Sequence, residues 1–352
     1  MNKDLHNIIQ KSQVSGLKLN DLQHKTIEQI NLNVDNGEYK FENILCPVCS
    51  SDDFITLAEK DRYGLENKTV ICKSCGLVYT NPRMTQESYN LFYDTLYRKL
   101  YVGESQPSDK FFQDQYRHGR EIYNFLQSSF AKDNTTINVL EVGCGAGGIL
   151  SYFKDKSCNV LGVDLGTEYL NYGKDKGLKL MPGSLKCVPE SFHPDVIIYS
   201  HVFEHILDLK SELELIKEKC SKETLLYIEV PGIKNVHNEY QMNFMNYFQN
   251  AHTFNFSLVS LRNLFETNGF KFIRGDDYVK SIFVIGQENS DNDITNDFDS
   301  VISYIESTIE NQKQYKYSAK NIKFKLMKGF GRFLSFLGLK KLVSKLFFKN
   351  RF

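Results

Sequence analysis

Val139-Leu140-Glu141-Val142-Gly143-Cys144-Gly145-Ala146-Gly147-Gly148 decides the fold, because an apolar strand there runs into a glycine loop that opens a helix. Glycines let a ligand approach the backbone closely, and the first amides of the helix are left unpaired. Spacing alone leaves two ligands open. Gly143, Gly145 and Gly147 read as GxGxG, whereas Gly143, Gly145 and Gly148 read as the dinucleotide pattern GxGxxG. Glu141 separates them, since a carboxylate at the strand's carboxyl end would repel a passing pyrophosphate. S-adenosylmethionine has no phosphate and carries an ammonium and a sulfonium, so an acidic wall suits it. A nicotinamide cofactor, or a domain of this type that binds nothing, are the alternatives.

Outward from this stretch, strand and helix alternate. Strands are predicted at Ile137 to Glu141, Asn159 to Asp164, Asp195 to Ser200 and Thr224 to Val230. Helices are predicted at Gly147 to Lys156, Thr167 to Lys176, Leu209 to Cys220 and Ser257 to Asn268. Pro194-Asp195-Val196-Ile197-Ile198-Tyr199-Ser200 is nearly continuously apolar, as in strands buried on both faces. Phe270 to Tyr278 and Ile282 to Gln287 are close enough to pair as a hairpin. The pattern predicts an α/β, Rossmann-like, mainly parallel sheet with ligands at the carboxyl ends of its strands.

The 352 residues exceed what one such core needs, so appendages are expected. Net charge is zero, which gives no basic field to recruit nucleic acid. The neutral sum hides segregation, with no Lys or Arg from Glu288 to Glu310 and no Asp or Glu after Glu310. Lys3, Asp4 and His6 break any apolar signal core, and no apolar run is long enough to span a bilayer. A cytoplasmic chain is expected, and its eight cysteines are then thiols or metal ligands. Cys46-Pro47-Val48-Cys49 and Cys72-Lys73-Ser74-Cys75 are paired CxxC knuckles suited to a closed, structural, tetrahedral Zn2+ site. So small a unit has little core of its own, and the metal would supply its folding free energy.

The residues from Thr136 to Gln287 resemble the class I S-adenosylmethionine-dependent methyltransferases. The likeness rests on Glu141-Val142-Gly143-Cys144-Gly145, on Asp164 and on His201-Val202-Phe203-Glu204-His205. With an N-terminal zinc ribbon ending Cys75-Gly76-Leu77-Val78-Tyr79-Thr80-Asn81-Pro82-Arg83, the chain looks like the ribbon-bearing methyltransferases of sugar and surface-polysaccharide biosynthesis. The cofactor would meet Glu141, Gly143, Gly145, Gly147, Asp164 on the ribose hydroxyls, Ser184 and Leu185 beside the adenine, and Ser200. Asp164 reads otherwise as a cap on the helix at Thr167. Methyl transfer to an alcohol needs a base, and His205 and His252 are the candidates, with Glu204 orienting one of them or binding substrate. The alternative is that these three only pack and cap.

The expected organisation is a polar segment 1–40, a zinc ribbon 41–80, a helical cap 81–132, the methyltransferase domain 133–287, an acidic linker 288–318 and a basic amphipathic tail 319–352. Aromatic residues of the cap would wall a substrate pocket or pack on the next domain. Tyr240, Phe244, Tyr247 and Phe248, beyond a strand's carboxyl end, suit a lid over a sugar or a packed cover. The tail suits an anionic membrane surface, at the inner face of the membrane, or else a helix docked on the protein itself or binding a partner. The expected substrates are a sugar, a nucleotide-sugar or a lipid-linked glycan. O-methylation is favoured, because sugar C-methyltransferases carry a further C-terminal domain. RNA methylation and a cofactor-binding scaffold without turnover are the competing functions.

Overall fold

The computed structural model describes residues 5–101, 107–130, 136–286 and 294–317. The basic tail 319–352 lies outside the described residues. Among the described residues the strands are, in chain order, β1 (Phe41–Glu42), β2 (Phe54–Lys60), β3 (Glu66–Cys72), β4 (Val78–Thr80) and β5 (Arg83–Met84). Then come β6 (Asn138–Val142), β7 (Asn159–Asp164), β8 (Leu180–Pro182), β9 (Val196–Ser200), β10 (Leu225–Glu229), β11 (Phe254–Asn255), β12 (Phe270–Gly275) and β13 (Lys280–Ile285).

The main sheet has the order β12-β13-β10-β9-β6-β7-β8. Its pairs from β10 to β8 are parallel. β13 runs antiparallel to β10 and closes the β12–β13 hairpin. From β6 the chain winds outward to β8 and then returns to β9 on the other side of β6, which opens a crevice at the carboxyl ends of those two strands. Side-chain alternation divides the core between two faces. Leu140, Val142, Ile197 and Tyr199 join one cluster with Leu213, Leu261 and Phe265. Val139, Val196 and Ile198 join another with Ile122, Leu126, Ile149 and Phe153. Both faces are covered, which is why β9 reads as an apolar run.

Three segments depart from the sequence reading. The ribbon strands β2, β3 and β4 are completed by β11, which pairs antiparallel with β4 and comes from the stretch after Pro231. Cys72, Leu77 and Tyr79 also pack in the same core as Leu140 and Phe256. The four-cysteine segment is therefore not a small unit without a core of its own, because the main domain supplies its missing core and a strand. Second, Phe244, Tyr247 and Phe248 are fully buried with Ile9, Leu57, Val236 and Ile305, so they form an interior plug rather than a lid. Third, residues 288–318 are not simply a linker, since they contain the helix Phe298–Tyr317. Val301, Ile302, Ile305 and Ile309 put an apolar stripe on one helical face and bury it, and the surrounding acidic residues had masked that period. Asp297 anchors the helix start by accepting from Lys234 Nζ at 2.8 Å and Ser257 Oγ at 2.6 Å. Among the described residues no helix is long and apolar enough to cross a membrane.

Candidate functional site

β6 delivers the chain into the glycine loop, where Gly143, Gly145 and Gly147 have φ of 71°, 54° and 74°. The left-handed values alone favour glycine. At Gly143 space does too, since a Cβ would lie 2.3 Å from Val202 Cγ2. The turn after β9 is thus pressed against the loop after β6. Gln115, on the helix Asp109–Leu126, straddles the loop by donating to the Cys144 carbonyl at 3.4 Å and accepting from Gly148 N at 3.3 Å. Sequence reading missed Gln115, because nothing in its local pattern marks it.

Asp164 ends β7 and turns its carboxylate back onto the loop. Its Oδ2 accepts from Gly145 N at 2.9 Å and its Oδ1 from Gly166 N at 2.7 Å. Arg98 Nη2 lies 3.6 Å from Oδ1, with the guanidinium 4.0 Å from the centre of the Tyr169 ring. Asp164 therefore ties the loop together in addition to facing the crevice, and its carboxylate keeps lone pairs for hydroxyl donors. It does not cap the helix at Thr167 through its side chain, whose N-cap is Gly166.

Glu141 corrects the sequence reading. It is 1% exposed, and its Oε2 has no hydrogen-bond partner among the described residues. Burial first, and then the neighbouring charge of Asp164, push its carboxyl well above the usual carboxylate range. It is an interior acid beneath the loop, not a wall lining the crevice, and Asp164 is the acid on the crevice. Leu185 is also interior, fully buried with Val163 and Ile197, whereas Ser184 is exposed at the turn before it.

On the other side of the crevice, β9 and β10 end in a polar cluster. Buried Glu229 accepts at Oε2 from Tyr227 Oη at 2.9 Å and lies 2.8 Å from His118 Nε2. Ser200 Oγ is 3.3 Å from both Glu229 Oε2 and His118 Nε2. Burial alone would raise the Glu229 pKa, but His118, His201 and Lys280 together bring it down to about 2. His201 has φ of 56° and its side chain is 51% exposed. Partial burial lowers its pKa, and Glu204 and Glu229 outweigh that to give about 8. His118 and Glu229 carry no motif, and only the fold joins them.

Beneath His201 lies a second cluster, which holds the three expected catalytic residues. Glu204 Oε1 is 3.8 Å from His201 Nδ1, 3.7 Å from His205 Nε2 and 3.7 Å from His252 Nε2. His205 Nδ1 lies 2.8 Å from the Ala251 carbonyl and 2.6 Å from Tyr93 Oη. Burial lowers the pKa of His205, and lowers that of His252 well below the imidazole range. These two rings are brought together but sit under the crevice surface. Above them Tyr93, Tyr97 and Tyr101 stack with centroids 4.2 Å and 5.4 Å apart. A π-helical turn, Tyr93–Tyr97, aligns them, a distortion that recurs at functional sites.

Away from the crevice, the Sγ atoms of Cys46, Cys49, Cys72 and Cys75 lie within 4.8 Å of one another. Cys46 and Cys75 are 3.5 Å apart, and Cys49 and Cys72 3.4 Å. Four sulfurs on a tetrahedral zinc would stand about 3.8 Å apart, so the donor set fits one.

Residues 113–274 match the family model described as a methyltransferase domain. The match begins inside the helix that carries Gln115 and His118, a helix the sequence reading had given to the cap. No curated protein matches the chain. Among solved structures, the chain is similar to a S-adenosylmethionine-dependent methyltransferase from Clostridium acetobutylicum at 12% identity and TM-score 0.39, covering 56% of this chain and 99% of that one. A plantazolicin methyltransferase in complex with SAH gives 16% identity and TM-score 0.40 over 64% of this chain and 93% of that one. A magnesium protoporphyrin IX methyltransferase from Synechocystis with bound SAH gives 14% and 0.39 over 56% and 95%. Residues 113–274 are thus matched as a methyltransferase domain, and the chain is a methyltransferase.

Proposed function

We propose that the chain methylates a hydroxyl of a sugar, nucleotide-sugar or glycan in surface-polysaccharide biosynthesis, with a structural Zn2+ on Cys46, Cys49, Cys72 and Cys75. The observation that carries the reading is His201, a half-exposed imidazole at the end of β9 next to the glycine loop, flanked by Glu204 and Glu229. S-adenosylmethionine supplies a methyl carbon already activated by its sulfonium. The backbone of Gly143 to Gly147 and the carboxylate of Asp164 would hold the cofactor, with Ser184 and Ser200 at its margins. His201 takes the acceptor proton, in place of His205 and His252, which lie too deep to meet an acceptor directly. The two carboxylates raise the basicity of its ring, and Glu229 fixes the backbone there by accepting from His201 N at 2.8 Å through its carbonyl. At the end of the tyrosine stack the exposed Tyr101 offers an aromatic surface of the kind on which the apolar face of a sugar ring packs.

Calorimetric titration of S-adenosylmethionine and S-adenosylhomocysteine into wild type and Asp164→Ala tests the cofactor half, with NAD as control. Micromolar binding that Asp164→Ala loses is expected, and binding of NAD instead would overturn it. For the acceptor half, methyl transfer from labelled cofactor to a panel of nucleotide sugars and glycans should label a hydroxyl. Labelling only of RNA would defeat the sugar assignment.

A further inference from the structure

The chemistry of Glu204 is unfinished. The side chain is 1% exposed, and neither carboxylate oxygen has a hydrogen-bond partner among the described residues. A buried carboxylate without a partner is costly. His205 Nε2 and His252 Nε2 each lie 3.7 Å from its Oε1, which is too long for a hydrogen bond. The proton placement makes the contact stranger. The Ala251 carbonyl can only accept, so His205 Nδ1 carries the hydrogen and Nε2 is left with its lone pair facing Glu204. His252 Nε2 lies between the Gln249 side-chain amide and Glu204. Three atoms able to bind a metal thus gather around one enclosed carboxylate.

We propose that Glu204, His205 and His252 form a second metal site, which binds a divalent transition ion of the zinc or cobalt type beneath the acceptor side of the crevice. The three ligand atoms lie within 4.8 Å of one another. Ligands about 2.1 Å from a tetrahedral ion stand about 3.4 Å apart, a few tenths of an ångström closer than Glu204 Oε1 now stands to either imidazole nitrogen. The bond from His205 Nδ1 to the Ala251 carbonyl is the outer contact that orients a ligating imidazole. Binding displaces the Gln249 amide from His252. Two histidines and a glutamate leave a fourth position for water or substrate, unlike the closed four-cysteine set. With His201 Nδ1 3.8 Å from Glu204, that position would lie toward the crevice and polarise an acceptor oxygen, a role that rests on the methyl-transfer reading.

The test is a metal count on intact protein equilibrated with excess Zn2+ and desalted. Wild type should retain about two zinc ions per chain, and Glu204→Gln and His252→Ala about one each. Cobalt-loaded protein separates the sites, since the thiolate-to-metal band of the cysteine site should persist in both variants while the weaker visible band of a nitrogen and oxygen site disappears. About one ion in wild type, held with the thiolate band alone, overturns the proposal. So do about two ions in both variants. Binding of S-adenosylhomocysteine on the same preparations reports whether each variant keeps its fold. Its absence from wild type would defeat the cofactor reading while leaving the metal count to stand.

Discussion

The two sides of the crevice are built from different materials. The cofactor side is backbone: three left-handed glycines, two amides bonded to Asp164 and a glutamine across the loop. The acceptor side is side chains, a set of imidazoles and carboxylates drawn from β9, β10, the helix Asp109–Leu126 and the stretch before β11. A backbone site holds its shape through steric limits and tolerates a change of pH. A site of coupled acids and bases holds its shape only while the charges balance, so the two sides should fail in different ways.

The largest difference is expected at His201→Asn, where asparagine still accepts the left-handed backbone. Methyl transfer should fall about 10²- to 10⁴-fold while S-adenosylhomocysteine affinity stays within about threefold. Equal losses in both would merge the two sides into one. Next comes Glu229→Gln. The folded pKa of Glu229 is about 2, against an ordinary value of 4.5, so the ionised form stabilises the fold. That stabilisation is fully present above pH 4.5 and is lost as pH falls toward 2. The difference is worth about 3 kcal/mol at neutral pH. Urea denaturation at several pH values should show wild type more stable than Glu229→Gln at pH 7, with the gap narrowing below pH 4.5. A gap that does not change with pH would mean packing rather than charge sets the acceptor side.

On the cofactor side, Gly143→Ala should weaken S-adenosylhomocysteine binding by about 10- to 100-fold, from a strained backbone and the Val202 contact, with little dependence on pH. Calorimetry at pH 6 and pH 8 would check both statements. The smallest effect is expected for Arg98→Ala. Its guanidinium shares Asp164 and is partly exposed, so its removal should tighten binding of the cationic cofactor only about two- to fivefold. Weaker binding would make Arg98 part of the cofactor side in its own right.

This division also explains what could be read from the sequence. Strands β6, β7, β9 and β10 and the glycine loop follow from local periodicity and from residue types that only a tight turn requires. The four cysteines declare themselves by spacing. Glu141 was misjudged because its period places it on a face without saying whether that face is open, and here it is interior. Glu229 and His118 stand 111 residues apart and meet only through the sheet and the helix that crosses it. The apolar stripe of the helix Phe298–Tyr317 was hidden by the acidic residues around it, although the spacing of Val301, Ile305 and Ile309 carried the signal.

β11 pairs with β4 through Phe254↔Tyr79 and Asn255↔Val78, and Thr80 N donates to the Thr253 carbonyl at 2.9 Å. His252 is the next residue along that ladder. The cysteine site and the acceptor side are thus coupled mechanically, with a short β-ladder as the strut between them. A displacement of the four-cysteine loops would therefore be passed to the backbone beside His252, with that ladder as a short lever arm.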